Sequence, residues 1–306
     1  MPTIKHIQAR RFSLARLFSK AGAIIQDSVL PRVLQTNRHV GSGPKLEVIS
    51  AGPRWSYKGA PIVFVHGAFG AAWMWDEHFL SYFARAGRRV HALSLRGHGR
   101  SEGRNNLNTT SFSDYVDDVK HLLSRVDEPP VLVGHSLGGL IVQKLIDHVP
   151  MRGVILMASA PPEGIFLVGK SFFHSGPAAL FDHLHRTIPG RTRSQSDFWR
   201  RTLFSDELSA QRVAEYAARM GPESPRALSE AQMPGIIVSA GRAKVPALVI
   251  AANHDRIIDH AMSRRTTHYH DATFRKVDPS GHALMLDVSW QQAAKFTRLW
   301  LNENDI

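Results

Sequence analysis

Short apolar runs alternate along this chain with longer stretches whose apolar residues recur at helical spacing, and that alternation sets the expected architecture. Pro61–Val65, Val131–Gly134, Gly153–Ala158 and Pro246–Ala251 are too short for helices and rich in β-branched residues, so they read as strands buried on both faces of a parallel sheet. Lys45–Ser50, Trp55–Lys58, Arg89–Leu95 and Ala272–Val277 complete the expected strands. Between them, Asp76–Ala86 reads as a helix, and Phe112–Leu123 as an amphipathic one with serines able to cap its start. A further helix is expected from 137 to about 148. The alternation predicts an α/β fold: a mostly parallel, doubly wound sheet with reactive groups at the C-terminal ends of its strands.

The rhythm stops between Ala160 and Arg242. A segment of about 80 residues is too long for a plain connection in a compact domain, so an inserted structure is expected after the sixth strand. It carries Phe166, Phe172, Phe173, Phe181, Phe198, Trp199 and Phe204, and helix-like stretches at Ser205–Arg219 and Ser224–Ala231. Most of these aromatics are expected to build a small core of the insertion, with some facing a cleft beneath it. The expected organisation is an N-terminal extension at 1–43, a core made of 44–160 and 243–306, and an insertion at 161–242.

Candidate chemistry sits where predicted strands end. Val131–Leu140 reads as a strand forced through a tight turn into a helix, with Ser136 at the apex, the pattern of a nucleophile elbow. Gly134 and Gly138 stand two positions either side of Ser136, where a side chain would collide, and Gly139 lets the next helix pack close to the sheet. The strand at 61–65 exits into His66-Gly67-Ala68-Phe69-Gly70, a loop of the kind that supplies a second oxyanion N–H. Asp255 follows the strand at 246–251, and the last strand leads to a turn presenting His282. The order along the chain is serine, acid, histidine.

Four separated motifs, HGAFG, RGHGRS, GHSLGG and SGHALMLD, give the chain a strong resemblance to the α/β-hydrolase superfamily, in the branch of single-domain esterases and lipases, over roughly residues 45 to 303. The resemblance implies an α/β-hydrolase fold with 161–242 as its lid. It implies Ser136 as nucleophile, Asp255 as triad acid, His282 as general base, and the backbone N–H groups of Ala68 and Leu137 as the oxyanion hole. The sequence departs from many relatives at Ser94, where they carry Asp; a weaker contact to the loop arginine is expected there. The chemistry stands independently of the resemblance. A serine hydroxyl needs a neighbouring base at neutral pH, the acid holds the imidazole in the right tautomer, and backbone donors stabilise the charge of a tetrahedral intermediate. No metal or cofactor is required by it.

Other residues compete for these roles. Asp259 rivals Asp255 as the acid, and Glu163, after the strand at 153–158, occupies an alternative acid station. His66 is expected to bond backbone in the oxyanion loop, Arg96 and His98 to tie neighbouring loops together, and His135 to pack away from the site. No pair of histidines and carboxylates has the H-E-x-x-H spacing of a zinc site, and the glycine-rich runs lack the patterns of phosphate and dinucleotide loops.

Composition adds a basic bias. The formal charge is +12, and half of it falls in 1–43, where Lys5, Arg10, Arg11, Arg16, Lys20, Arg32 and Arg38 face only Asp27. The segment around Phe12–Phe18 reads as a basic amphipathic helix, packed on the body or in peripheral contact with an anionic membrane surface. Charged residues interrupt the apolar run an export signal needs, and no stretch reaches the ~20 apolar residues of a membrane-spanning helix. The insertion adds Arg191, Arg193, Arg200 and Arg201, read as a wet surface or an attraction for an anionic group. Without a nucleic-acid-binding motif, the charge does not imply nucleic acid as a partner. There are no cysteines, hence no disulfides, which leaves the compartment undecided; the lack of an export signal makes a cytoplasmic location the expectation.

The resulting expectation is a serine hydrolase that cleaves small-molecule apolar esters through an acyl-enzyme. The alternatives are another reaction on the same scaffold (lactone opening, carbon–carbon bond hydrolysis, peracid formation or cofactor-free oxygenation) or a ligand receptor that keeps the pocket without catalysis. An aspartate would be expected at the elbow for dehalogenase or epoxide chemistry, and Ser136 stands there instead.

Overall fold

The computed structural model describes residues 32–35, 43–53, 58–164, 192–232 and 245–306, at 32–35 and 192–195 through the backbone alone. Eight strands form one sheet: β1 (Arg32–Gln35), β2 (Glu47–Ala51), β3 (Ile62–Val65), β4 (Val90–Leu93), β5 (Val131–His135), β6 (Gly153–Met157), β7 (Ala247–Ala252) and β8 (Thr273–Val277), in the order β1-β2-β4-β3-β5-β6-β7-β8. β2 runs antiparallel to both β1 and β4, and every pairing from β4 through β8 is parallel. This is the mostly parallel sheet that the apolar runs predict. β1 lies inside the stretch expected to precede the fold. The expected strand at 55–58 falls largely outside the described residues, as do the basic residues before Arg32, Phe166, Phe172, Phe173 and Phe181, and the Arg191 and Arg193 side chains.

The described helices are α1 (Trp73–Asp76), α2 (Phe79–Arg85), α3 (Phe112–Leu123), α4 (Leu137–Leu145), α5 (Thr192–Leu203), α6 (Ala210–Ala217), α7 (Pro225–Glu230), α8 (His260–Tyr269) and α9 (Trp290–Glu303). β3, β5, β6 and β7 are buried along their whole length because both faces of the sheet are covered. On one face Phe64, Val133, Ile155 and Leu248 pack with Phe79, Phe83 and Trp300 of α2 and α9. On the other, Val63, Leu132 and Val154 pack with Tyr115, Val119 and Ile141 of α3 and α4. Successive residues of one strand serve opposite layers, which is why continuous rather than alternating apolar runs specify it. α3 starts at a capping box: the Ser111 side chain accepts from Asp114 N–H, and the Asp114 carboxylate accepts from Ser111 N–H at 2.8 Å. The described part of the insertion, after β6, is helical in α5, α6 and α7.

Candidate active site

β5 reaches α4 through Ser136, whose φ of 52° and ψ of −118° place a non-glycine residue in a costly region of backbone space. The conformation is held from the next strand over: Ser136 N–H donates to Met157 O at 3.2 Å, and Ser136 O accepts from Ala160 N–H at 3.0 Å. The flanking glycines are required by close approach. A Cβ on Gly134 would sit 2.5 Å from Gly138 O, and one on Gly138 would strike the His66 and Val65 carbonyl oxygens at the end of β3. The Ser136 side chain takes no hydrogen bond among the described residues, and it stands at the N-terminus of α4, where the helix dipole favours negative charge.

Asp255 and His282 come together from the loops after β7 and β8. His282 Nδ1 lies 2.9 Å from Asp255 Oδ2, and both side chains are buried. Asp255 Oδ1 accepts from the Ile257 and Ile258 N–H groups at 2.8 and 2.9 Å, which fixes the carboxylate. A ring nitrogen facing a carboxylate carries the proton, so Nε2 is the basic nitrogen of neutral His282. Asp259 instead caps α8, accepting from Met262 N–H at 2.7 Å. Glu163 pairs with Arg265 at 3.0 Å. Neither carboxylate bonds His282.

The loop after β3 brings Ala68 alongside the elbow, since a Cβ on Gly67 would lie 2.9 Å from Ser136 Cβ. Neither the Ala68 nor the Leu137 N–H has a partner among the described residues. His66 holds this loop as expected: Nε2 accepts from Leu95 N–H at 3.0 Å, and Nδ1 donates to Gly67 O at 2.8 Å. Burial, together with the nearby His98 charge, pushes its pKa down to about 3, so the ring stays neutral. His135 does more than pack. Its Nε2 donates to His282 O at 3.0 Å, tying the strand that leads to Ser136 to the loop of the expected base. Burial and the neighbouring His282 keep its pKa well below the usual histidine range.

The departure at Ser94 has a local compensation. Ser94 Oγ donates to Glu47 Oε2 at 2.7 Å and accepts from Ala72 N–H at 3.0 Å, while Arg96 is held by Asp118 and Asp114 of α3, each at 2.7 Å. The loop arginine therefore keeps two carboxylates.

Two carboxylates that sequence reasoning left without a role join the insertion to the site loops. Asp287, within the SGHALMLD motif, accepts from Gly281 N–H and from the Ser205 N–H and hydroxyl, each at 2.7 Å. Ala283 N–H also donates to Leu203 O at 2.9 Å, so the end of α5 is bound to the turn that carries His282. Glu223, between α6 and α7, accepts from Phe69 N–H at 3.1 Å, His98 Nε2 at 3.2 Å, Tyr115 Oη at 2.5 Å and Ser224 N–H at 2.7 Å. His98 Nδ1 faces Arg96 O at 3.0 Å, and both ring nitrogens can donate only in the imidazolium form. Burial opposes charge on both partners. Their mutual attraction and hydrogen bonds outweigh it, raising the His98 pKa and lowering that of Glu223.

Residues 62–296 match the alpha/beta hydrolase family, and the chain belongs to that family. It is similar to the putative non-heme bromoperoxidase BpoC of Mycobacterium tuberculosis, 30% identical over 165 residues, covering 52% of this chain and 61% of that protein. A pyrethroid hydrolase of Sphingobium wenxiniae is 32% identical over 147 residues, covering 45% of this chain and 51% of that protein. The chain thus matches about half to three fifths of the length of these curated relatives. Among solved structures, BpoC superimposes with a TM-score of 0.70 at 20% identity, over 88% of this chain and 99% of that one. An esterase from Thermogutta terrifontis gives 0.64 at 17% identity, over 90% and 100%. These likenesses show the shared fold. No group of histidines and carboxylates able to hold a metal ion occurs among the described residues.

Proposed function

We propose that the protein is a serine hydrolase cleaving carboxylic esters through an acyl-enzyme. The observation that carries the reading is the buried His282–Asp255 pair, which leaves Nε2 as the basic nitrogen, in a fold whose elbow presents a strained Ser136. Ser136 Oγ attacks the ester carbonyl as its proton passes to His282 Nε2, and Asp255 stabilises the imidazolium. The Ala68 and Leu137 N–H groups receive the charge that develops on the carbonyl oxygen. Imidazolium protonates the departing alcohol, water activated by the same imidazole attacks the acyl-serine, and Ser136 is regenerated with release of the acid. A pocket roofed by the aromatic insertion suits an apolar acyl or alcohol group beside the reacting carbonyl. The esterase names of several relatives support this class of reaction.

The test is a panel of nitrophenyl esters graded by acyl length, with lactones alongside, run on wild type and Ser136→Ala. The variant is expected to lose about 10⁶-fold in kcat and to resist labelling by a fluorophosphonate probe. Equal rates in the two proteins, or labelling that survives the substitution, overturns the proposal. A second reading, transfer of the acyl group to hydrogen peroxide in place of water, is favoured by similarity to an Acinetobacter calcoaceticus protein named bifunctional esterase/perhydrolase, 30% identical over 146 residues. Peracid formation from the same esters in the presence of peroxide distinguishes it.

A further inference from the structure

Ala68 lies in a short loop whose peptide groups are restrained one after another. The peptide that carries Ala68 N–H has Gly67 O as its carbonyl, which accepts from His66 Nδ1 at 2.8 Å and from Gly70 N–H at 3.3 Å. The next peptide carries Phe69 N–H, which donates to Glu223 Oε2 at 3.1 Å. The one after carries Phe69 O, which accepts from Gly221 N–H at 2.9 Å. Two of these four hydrogen bonds come from the insertion. Phe69 itself has a φ of +64°, an uncommon conformation for a residue with a Cβ, and its ring packs against Trp199 of α5 with 5.6 Å between centroids. The loop is therefore held in a conformation it would not favour alone, by contacts made to it from outside the core.

Glu223 is built for this task more than for a simple tether. Four donors converge on its two oxygens, and three of them belong to separate parts of the core: the loop after β3, the loop after β4 and α3. The His98 imidazolium supplies the countercharge that lets a carboxylate remain ionised where its side chain is 1% exposed. An ionised acceptor makes a stronger bond to an amide than a neutral one, so Phe69 N–H has the stronger kind of partner, at 3.1 Å.

We propose that Glu223 is a positioning residue for the oxyanion-stabilising Ala68 N–H, so that the insertion contributes directly to transition-state stabilisation as well as covering the site. The inference rests on the hydrolase reading above. Stabilisation of this kind depends on donors fixed before reaction, and a sub-ångström shift of one weakens it. The amide next to Ala68 is the one Glu223 holds.

The test compares wild type, Glu223→Ala, Glu223→Gln and the double variant E223A/H98Q by two measurements. The double variant leaves no unpaired buried imidazolium, so it serves where Glu223→Ala alone does not fold. The first measurement is hydrogen–deuterium exchange of the peptide spanning 66–70; loss of the Glu223 acceptor is expected to speed it by about tenfold or more, relative to the sheet. The second is ester turnover. kcat is expected to fall about 10- to 100-fold with KM within about threefold, and Glu223→Gln, which keeps one acceptor oxygen, is expected to recover part of the loss. Unchanged exchange overturns the proposal, as does faster exchange with wild-type kcat. A rise in KM at constant kcat also overturns it, since Glu223 would then act only in enclosing substrate. If the wild type itself neither turns over esters nor takes a fluorophosphonate, the hydrolase reading has failed, and the exchange measurement alone decides whether Glu223 fixes this loop.

Discussion

Asp255 and Asp259 stand four positions apart, and what separates their roles is the group each carboxylate faces. Asp255 receives two backbone N–H groups on Oδ1 and His282 Nδ1 across both oxygens, at 3.0 and 2.9 Å, whereas Asp259 is occupied in capping α8. Asp255→Asn is therefore expected to lower kcat by about 10⁴-fold, because a carboxamide can hold the imidazole in the wrong tautomer. Asp259→Ala is expected to cost about 1 kcal/mol of stability as a lost cap and to leave kcat within about twofold. Ester turnover and thermal melts of the two variants check both expectations, and a reversed ranking would transfer the acid role to Asp259. The elbow was legible at this scale because the residue types that mark it lie within six residues of chain, Gly134 to Gly139, although Met157 and Ala160 hold its backbone from outside them. Glu223 was not: its bonds to Tyr115, His98 and Phe69 span 108, 125 and 154 residues, and no local pattern marks a carboxylate whose partners are that remote.

Strands were legible where burial on both faces removed polar residues, so β3, β5, β6 and β7 lie within a residue or two of the apolar runs that announce them. The helix expected at Asp76–Ala86 begins only at Phe79, as α2, because His78, with φ −140° and ψ −48°, leaves helical geometry, and the short α1 before it was not expected. β1 had little signal, since the four residues Arg-Val-Leu-Gln at 32–35 hold only two apolar side chains and no long apolar run. Contacts between elements carry the pH dependence. The His98–Glu223 pair joins the loop after β4 to the α6–α7 connection, with Tyr115 of α3, neutral His66 and Arg104 facing the same cluster. His98 has a raised pKa when folded, so its contribution to stability is complete below its unfolded value and is lost as pH rises through the folded one. Glu223 has a lowered pKa, so its contribution is complete above its unfolded value of 4.5 and is lost as pH falls through the lowered folded value. The difference in Tm between wild type and E223Q/H98Q should then be largest between about pH 4.5 and 6.5 and shrink on either side. A difference that is flat across pH 3 to 9 would show that the pair is not charged in the folded protein.

At the scale of the whole molecule, the sheet is fed from both ends of the chain, and its first strand belongs to a stretch whose sequence suggested an appendage. β1 pairs antiparallel with β2 in register from Arg32 opposite Ser50 to Gln35 opposite Glu47. Without it, β2 becomes the outermost strand and presents a row of unpaired backbone groups beside apolar Val48 and Ile49, the kind of edge that recruits other chains. Two truncations separate the roles of the N-terminal region. A chain shortened to begin at residue 31 keeps β1 and is expected to retain its Tm within about 2 °C and its ester turnover, while losing whatever membrane contact the basic residues before it provide. A chain shortened to begin at residue 44 removes β1 as well, and is expected to show lower soluble yield and a Tm reduced by several degrees, corresponding to about 1–2 kcal/mol. Thermal melts, size-exclusion profiles and binding to vesicles containing anionic lipid measure all three effects on the same pair of proteins. Equal stability of the two shortened chains would mean that β1 pairs with the sheet without supporting it, and would return the boundary of the folded unit to residue 44.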